Sequence, residues 1–167
     1  MQIMCWDLFY FKSTHMTALI QTAELTVSYQ VTPEWSSLPI ISSSEDAYKA
    51  IYPFFPPHTV ALQEHFIVCY LNRANKMVGV YHTSSGGITY TVADPRIILG
   101  VALKVSALGI ILSHNHPSGN LKASTADIEL TKRLVEAGKL MDINVLDHLI
   151  VTPEDGKYLS FADQGLM

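Results

Sequence analysis

The chain has 167 residues, of which 49% are hydrophobic and 16% charged, and its formal net charge is -4 at pH 7. This length and apolar content predict a globular protein with its own buried core and exclude a disordered chain. The acidic balance and the lack of a Lys/Arg-rich run argue against strong sequence-independent DNA binding. Cys5 and Cys69 are too few and too far apart for a disulfide framework, which fits a reducing compartment.

The N-terminal residues 1–18 have no clear hydrophobic period, and we expect them to form an extension before a single domain at 19–167. Asp7 interrupts the apolar start of the chain and no basic segment precedes it, so a signal peptide is not predicted. No segment approaches the roughly 18 uncharged apolar residues that span a bilayer. We therefore expect a cytoplasmic protein without membrane contact, and the sequence leaves its oligomeric state open.

The first half of the chain favours strands with one helix between them. Alternating apolar residues at 23–31 predict a half-buried strand. A serine cluster at 42–44 is typical of a helix start, and the apolar face that follows extends to Phe54, where prolines end the helix. The remaining elements expected here are a central strand at 64–71, a hairpin partner at 77–82, a loop at 83–87 and a short strand at 88–92.

In the second half, strands and helices alternate. Asp94 and Pro95 predict a helix start with proline at its first position, and that helix is expected to end near Leu108 and Gly109. The apolar run at 109–113 predicts a strand buried on both faces. A long helix at 124–140, a strand at 143–151 and a short closing segment at 158–161 complete an α/β fold, a mixed β-sheet flanked by helices.

The most informative residues follow the buried run. Residues two apart in a strand point to the same side, so His114 and His116 are predicted to face one metal ion, with Asn115 turned away. Asp127 falls in the first turn of the next helix, where the macrodipole favours its ionised form. Two imidazoles and one carboxylate, with room for water, are the ligand set of a hydrolytic zinc enzyme.

Each of these residues also has a simpler interpretation. Ser124 and Asp127 have the spacing of a helix-capping box, and a single buried histidine is more often a hydrogen-bonded core residue. The joint pattern favours a metal site, and Ser124 is able to cap the helix and serve a reaction together. The adjacent letters His-Asn-His do not indicate an HNH nuclease, whose residues are spread over a ββα unit.

The pattern His114-x-His116-Pro117, six residues, then Ser124-x-x-Asp127 resembles the JAB/JAMM metallopeptidase motif of MPN-plus domains. The segment 114–119 (His-Asn-His-Pro-Ser-Gly) is more narrowly similar to the bacterial RadC family, named as DNA repair proteins. Further segments at 63–66, 94–96, 147–150 and 161–166 also look like RadC, so the resemblance covers about residues 45–166. It implies a JAB/MPN fold, a cytidine deaminase-like sandwich.

The resemblance also implies roles for individual residues. His114, His116 and Asp127 match the zinc ligands, and Ser124 matches the serine that helps to hold the tetrahedral intermediate. Glu64 matches the upstream glutamate that acts as general acid/base, a role that suits a carboxylate beside a metal. The spacing alone favours a solvated residue at a strand start for Glu64.

The chain departs from the family in three places. RadC proteins usually carry a helix-hairpin-helix segment before this domain, and residues 20–31 instead predict a strand. Ile97 stands where a glutamate is usual, and the loop at 84–87 also differs. The first departure weakens the case for DNA contact, and the others concern a helix surface and a loop.

These observations support three hypotheses. The first is a zinc-dependent JAB/JAMM hydrolase that cleaves a peptide or isopeptide bond in a peptide or protein substrate. The second is a DNA-repair-associated accessory or binding module whose metal site is structural or vestigial. The third is a nuclease that uses the same metal.

Two charged segments outside the motif have open roles. Asp147 and His148 lie in an apolar strand, where a core hydrogen bond is the favoured interpretation and a partner for a metal ligand is the alternative. Arg96 lies near a helix start, where a surface ion pair is the favoured interpretation and the positioning of an acidic group is the alternative.

Overall fold

The structure is a computed structural model that describes residues 34–86 and 93–167. Within these ranges, five strands form one sheet in the order β2-β1-β3-β4-β5. The pair β3 and β4 is parallel and the other neighbours are antiparallel. The predicted α/β fold with a mixed sheet is therefore confirmed. The strands are β1 (His65–Leu71), β2 (Met77–Ser85), β3 (Gly109–Asn115), β4 (Asn144–Val151) and β5 (Tyr158–Ser160).

Helices cover both faces of this sheet. Helix α1 (Ser44–Ile51) packs on one face, whereas α2 (Pro95–Lys104) and α3 (Thr125–Lys139) pack on the other. Every residue of β1 and β3 is buried, as expected for strands between two helical layers. Short 3-10 turns at Trp35–Ser37 and Tyr52–Phe54 flank α1. No helix in the described ranges is long and apolar enough to cross a membrane.

Two helices end earlier than their apolar pattern predicts. Helix α1 stops at Ile51 and continues as the 3-10 turn that contains Pro53, so Phe54 is exposed rather than on the buried face. Helix α2 begins at Asp94 and Pro95 as predicted, but it ends at Lys104. Ser106 adopts a φ of 54°, and the amide of Ala107 donates to the carbonyl of Ala102 at 2.9 Å. A Schellman turn with serine in the usual glycine position therefore ends α2 before Gly109.

The hairpin partner of β1 is longer than the sequence indicates. Residues 83–85, predicted as loop, belong to β2, where Ser84 pairs with Phe66 and Ser85 with His65. Pairing with the buried β1 overrides the local turn tendency of the serines. The predicted extension 1–18 and the predicted strands at 23–31 and 88–92 lie outside the described residues.

The chain order brings the motif to one end of the sheet. Strand β3 ends at Asn115, and the chain then reaches the N-terminus of α3 before returning as the parallel strand β4. The start of β1 lies beside the end of β3, because the antiparallel register pairs Phe66 with His114. Residues before β1 and residues after β3 therefore meet at the same end of these two central strands.

Candidate metal centre

Three side chains with ligand atoms converge beyond the end of β3. Nε2 of His114 lies 3.0 Å from Nε2 of His116 and 3.3 Å from Oδ1 of Asp127. Nε2 of His116 lies 3.8 Å from Oδ2 of Asp127. A tetrahedral zinc ion with bonds of about 2.0–2.1 Å has ligand atoms roughly 3.4 Å apart. The three groups therefore have the spacing of a site that could hold a metal ion.

The protonation of His116 follows from its second nitrogen. Nδ1 of His116 lies 2.6 Å from the carbonyl oxygen of Asn120. A carbonyl only accepts hydrogen bonds, so Nδ1 must carry a proton. The Nε2 atom of the neutral ring then presents its lone pair to the centre.

A chain of three hydrogen bonds assigns the proton of His114 in the same way. The hydroxyl of Thr131 donates to the carbonyl of Asp127 at 2.6 Å, so its oxygen accepts from Nδ1 of His148, also at 2.6 Å. Nε2 of His148 then accepts from Nδ1 of His114 at 2.8 Å. The Nε2 atom of His114 is therefore left with a lone pair as well.

The resulting arrangement calls for a positive charge. Two imidazole lone pairs face each other at 3.0 Å beside a carboxylate, which is repulsive unless a metal ion or an added proton lies between them. Burial alone raises the pKa of Asp127, but when His114 carries the added proton its charge and hydrogen bond, together with the hydrogen bonds from Ser124, outweigh burial and lower this pKa well below the usual range. The donor set and its charge fit a divalent metal.

His148 is suited to its position behind His114. It is completely buried, and burial lowers its pKa well below the ordinary value. A neutral imidazole has one donor and one acceptor, as the chain requires. Both interpretations of His148 are therefore met, because it is a hydrogen-bonded core residue and also the partner of a candidate ligand.

The capping box predicted for α3 is present and it orients Asp127. The backbone N–H and the hydroxyl of Ser124 both donate to Oδ2 of Asp127, at 2.8 and 2.6 Å, and Ser124 Oγ accepts from the Asp127 amide at 3.2 Å. These bonds hold Oδ2 toward the cap. The other oxygen, Oδ1, is left facing His114.

The five residues selected from the sequence line one cleft, with a volume of about 380 Å³. They are Glu64, His114, His116, Ser124 and Asp127. A second cavity of about 530 Å³ shares Glu64, His116 and Ser124 and continues past Pro117. The two cavities therefore adjoin at the candidate metal centre.

Arg96 pairs with Asp94, with Nη2 and Oδ2 2.6 Å apart, as the surface ion-pair interpretation predicts.

The sequence did not single out two other residues that support the site. Thr131 lies on the buried face of α3, where only packing was expected, and Asn115 was expected merely to turn away from the metal. No local signal identifies either role, because each depends on partners far away in the sequence.

A family model for a RadC-like JAB domain matches residues 41–166. The chain belongs to the RadC-like JAB domain family. Among similar proteins, a UPF0758 protein of Flavobacterium johnsoniae is 42% identical over 75% of this chain and 53% of its own length. A UPF0758 protein of Porphyromonas gingivalis is also 42% identical, over 76% and 54%. A third, from Methanococcoides burtonii, is 34% identical over 92% and 63%.

This RadC-like JAB domain spans about half the length of the curated relatives it matches. The name UPF0758 assigns those relatives no activity. The family membership confirms the resemblance drawn from the motif.

Proposed function

We propose that this RadC-like JAB domain is a zinc-dependent hydrolase that cleaves a peptide or isopeptide bond. The observation that carries the proposal is the convergence of His114, His116 and Asp127 in a cleft that Glu64 and Ser124 also line. Two imidazoles and one carboxylate would hold a zinc ion here and leave room for water beside it. A zinc ion bound there supplies a Lewis acid and lowers the pKa of water.

Glu64 is the proposed general acid/base. It is half-buried at the start of β1, and it lines both cavities of the cleft. A carboxylate in this position takes a proton from the attacking water and later delivers it to the nitrogen of the leaving amine. Both transfers take place within the cleft, so one residue serves both halves of the reaction.

Ser124 is proposed to donate a hydrogen bond from its hydroxyl to the developing oxyanion. In the structure this hydroxyl donates to Oδ2 of Asp127, but the backbone N–H of Ser124 holds the same oxygen. Rotation of the hydroxyl toward substrate therefore leaves the Asp127 carboxylate tethered. A donor aimed at new negative charge lowers the barrier more than it aids substrate binding.

The shape and charge of the cleft favour a polypeptide substrate. The two cavities, about 380 and 530 Å³, meet at Glu64, His116 and Ser124, and we expect an extended chain to occupy both. The charged residues of the lining are mixed, with Glu64, Asp127 and Glu129 against Lys122 and Arg133. This is not the basic surface that a DNA-binding module or nuclease needs.

Zinc content and cleavage of a peptide library test the proposal together. We expect about one zinc per chain in the purified protein and its loss in His116→Ala. Glu64→Gln should retain zinc and lose cleavage. Sub-stoichiometric zinc that is equal in the wild type and His116→Ala would contradict the proposal. Salt-sensitive binding of branched or single-stranded DNA without peptide cleavage would favour the accessory module instead.

A further inference from the structure

The side chain of Asn115 is fully buried on the face of β3 opposite the two candidate ligands. Its Oδ1 accepts from the backbone N–H of His65 at 2.6 Å. Its Nδ2 donates to the carbonyls of Val60 at 2.6 Å and Gln63 at 2.9 Å. The amide therefore binds the backbone on both sides of Glu64.

These side-chain hydrogen bonds hold the backbone where the main-chain pairing of β1 with β3 has ended. The pairing of β1 with β3 stops at Phe66 and His114, so no strand bond from β3 holds the segment that carries Glu64. On the other side, the amide of Gly86 donates to the carbonyl of Glu64 at 2.9 Å. The backbone of Glu64 is thus fixed from the β2 side by a main-chain bond and from the β3 side by one side chain.

We propose that Asn115 is a positioning residue that fixes the Glu64 carboxylate relative to the metal centre. The inference rests on the proposed function, in which Glu64 transfers protons. Residues 114–116 present two ligands on one face of the chain and the amide of Asn115 on the other. Because the three residues are consecutive, any shift of the two ligands also moves the Asn115 amide that holds the backbone beside Glu64. We call the three hydrogen bonds of this amide the clamp.

The chemistry of the clamp requires a side-chain amide. One acceptor must meet an N–H while two donors meet carbonyls, and asparagine offers both within one short planar group. A carboxylate would set its lone pairs against two carbonyl oxygens, and an apolar residue would leave three backbone groups without these hydrogen bonds. Serine retains a single hydroxyl and shortens the reach.

A matched control exists at the C-terminal end of β1, the strand that begins directly after Glu64. Oδ1 of Asn72, directly after β1, accepts from the amides of Ala74 and Lys76 at 2.8 and 3.1 Å. Asn72→Ala therefore removes an asparagine clamp on the hairpin without touching Glu64. Comparison with Asn115→Ala separates a general loss of stability from a displaced carboxylate.

The test compares Asn115→Ala, Asn115→Ser, Asn72→Ala and Glu64→Gln in the full chain loaded with Co²⁺. Visible absorption of the cobalt reports the surroundings of the metal without requiring turnover. We expect stoichiometric cobalt in all four, faster amide exchange at His65 in the Asn115 variants, and a spectral change in those variants that resembles Glu64→Gln. Asn72→Ala should retain the wild-type spectrum. If Asn115→Ala does not fold, Asn115→Ser supplies the comparison.

With a peptide that the wild type cleaves, kcat should fall roughly 10- to 100-fold in the Asn115 variants with little change in KM. A wild-type spectrum and kcat in these variants, while Glu64→Gln is altered, would overturn the role of Asn115 and leave the proposed function standing. If Glu64→Gln itself changes neither spectrum nor turnover, the role of Glu64 fails and the positioning role fails with it.

Discussion

Nδ1 of His114 lies 2.8 Å from Nε2 of His148, a fully buried imidazole behind a candidate metal ligand. The ring of His148 is fixed in turn by Thr131, so the orientation of His114 is set from inside the core. A ligand held this way loses little freedom when metal binds.

Removing this support should weaken metal binding. In His148→Phe, Nδ1 of His114 loses its acceptor, and we expect zinc affinity to fall roughly 10- to 100-fold. Competition with a chelator measures the effect. His58→Gln, at an exposed histidine, is the control and should bind zinc like the wild type. Equal affinity in His148→Phe and the wild type would contradict the supporting role.

The contribution of Ser124 to the stability of α3 can be separated from its proposed role in the reaction. Ser124→Ala removes the side-chain cap and should cost about 1 kcal/mol of unfolding free energy, measured by urea denaturation. Ser43→Ala removes the equivalent cap of α1, where Ser43 accepts from Asp46 at 3.1 Å. Both variants should lose similar stability, but only Ser124→Ala should lower kcat. Equal kcat in the two would leave Ser124 as a cap alone.

Two helical glycines should respond to alanine in opposite ways. A Cβ at Gly138 would collide with the carbonyl oxygen of Ile143, at the turn that leads into β4. A Cβ at Gly100, on the exposed side of α2, meets no atom of the described residues within 4 Å. We expect Gly100→Ala to raise the unfolding free energy by about 0.5–1 kcal/mol and Gly138→Ala to lower it. A stabilised Gly138→Ala would show that the turn relaxes freely.

Cys69 should report unfolding. Burial raises the pKa of its thiol to about 12, from an ordinary value of 9.0, and the thiolate is the reactive form. In a Cys5→Ser background, a thiol reagent at neutral pH should react only as fast as the protein opens. Above pH 9 the unfolded chain releases this proton before the folded one, so the contribution of Cys69 to stability should decline as pH rises toward 12. Rapid labelling without denaturant would contradict the burial.

Features that depend on neighbours in sequence were predictable. The start of α2 at Asp94 and Pro95 and the capping box of α3 follow from contacts within a few residues, and the apolar run of β3 indicates its burial. The candidate ligands were found for the same reason, since His114 and His116 are two apart and Asp127 opens the next helix. Glu64 came only from the family resemblance, because its place beside them depends on strand pairing.

Local periodicity and short-range hydrogen bonds thus identified most of the helices and strands in the described ranges, the helix caps and the ligand pattern. Tertiary contacts alone bring Glu64 into the same cleft as the ligands, fix the tautomer of His114 through His148 and Thr131, and bring Asn115 to the backbone beside Glu64. These relationships join residues that are distant in the chain. They exist because burying both faces of β1 and β3 selects one register, and that register has no local signature.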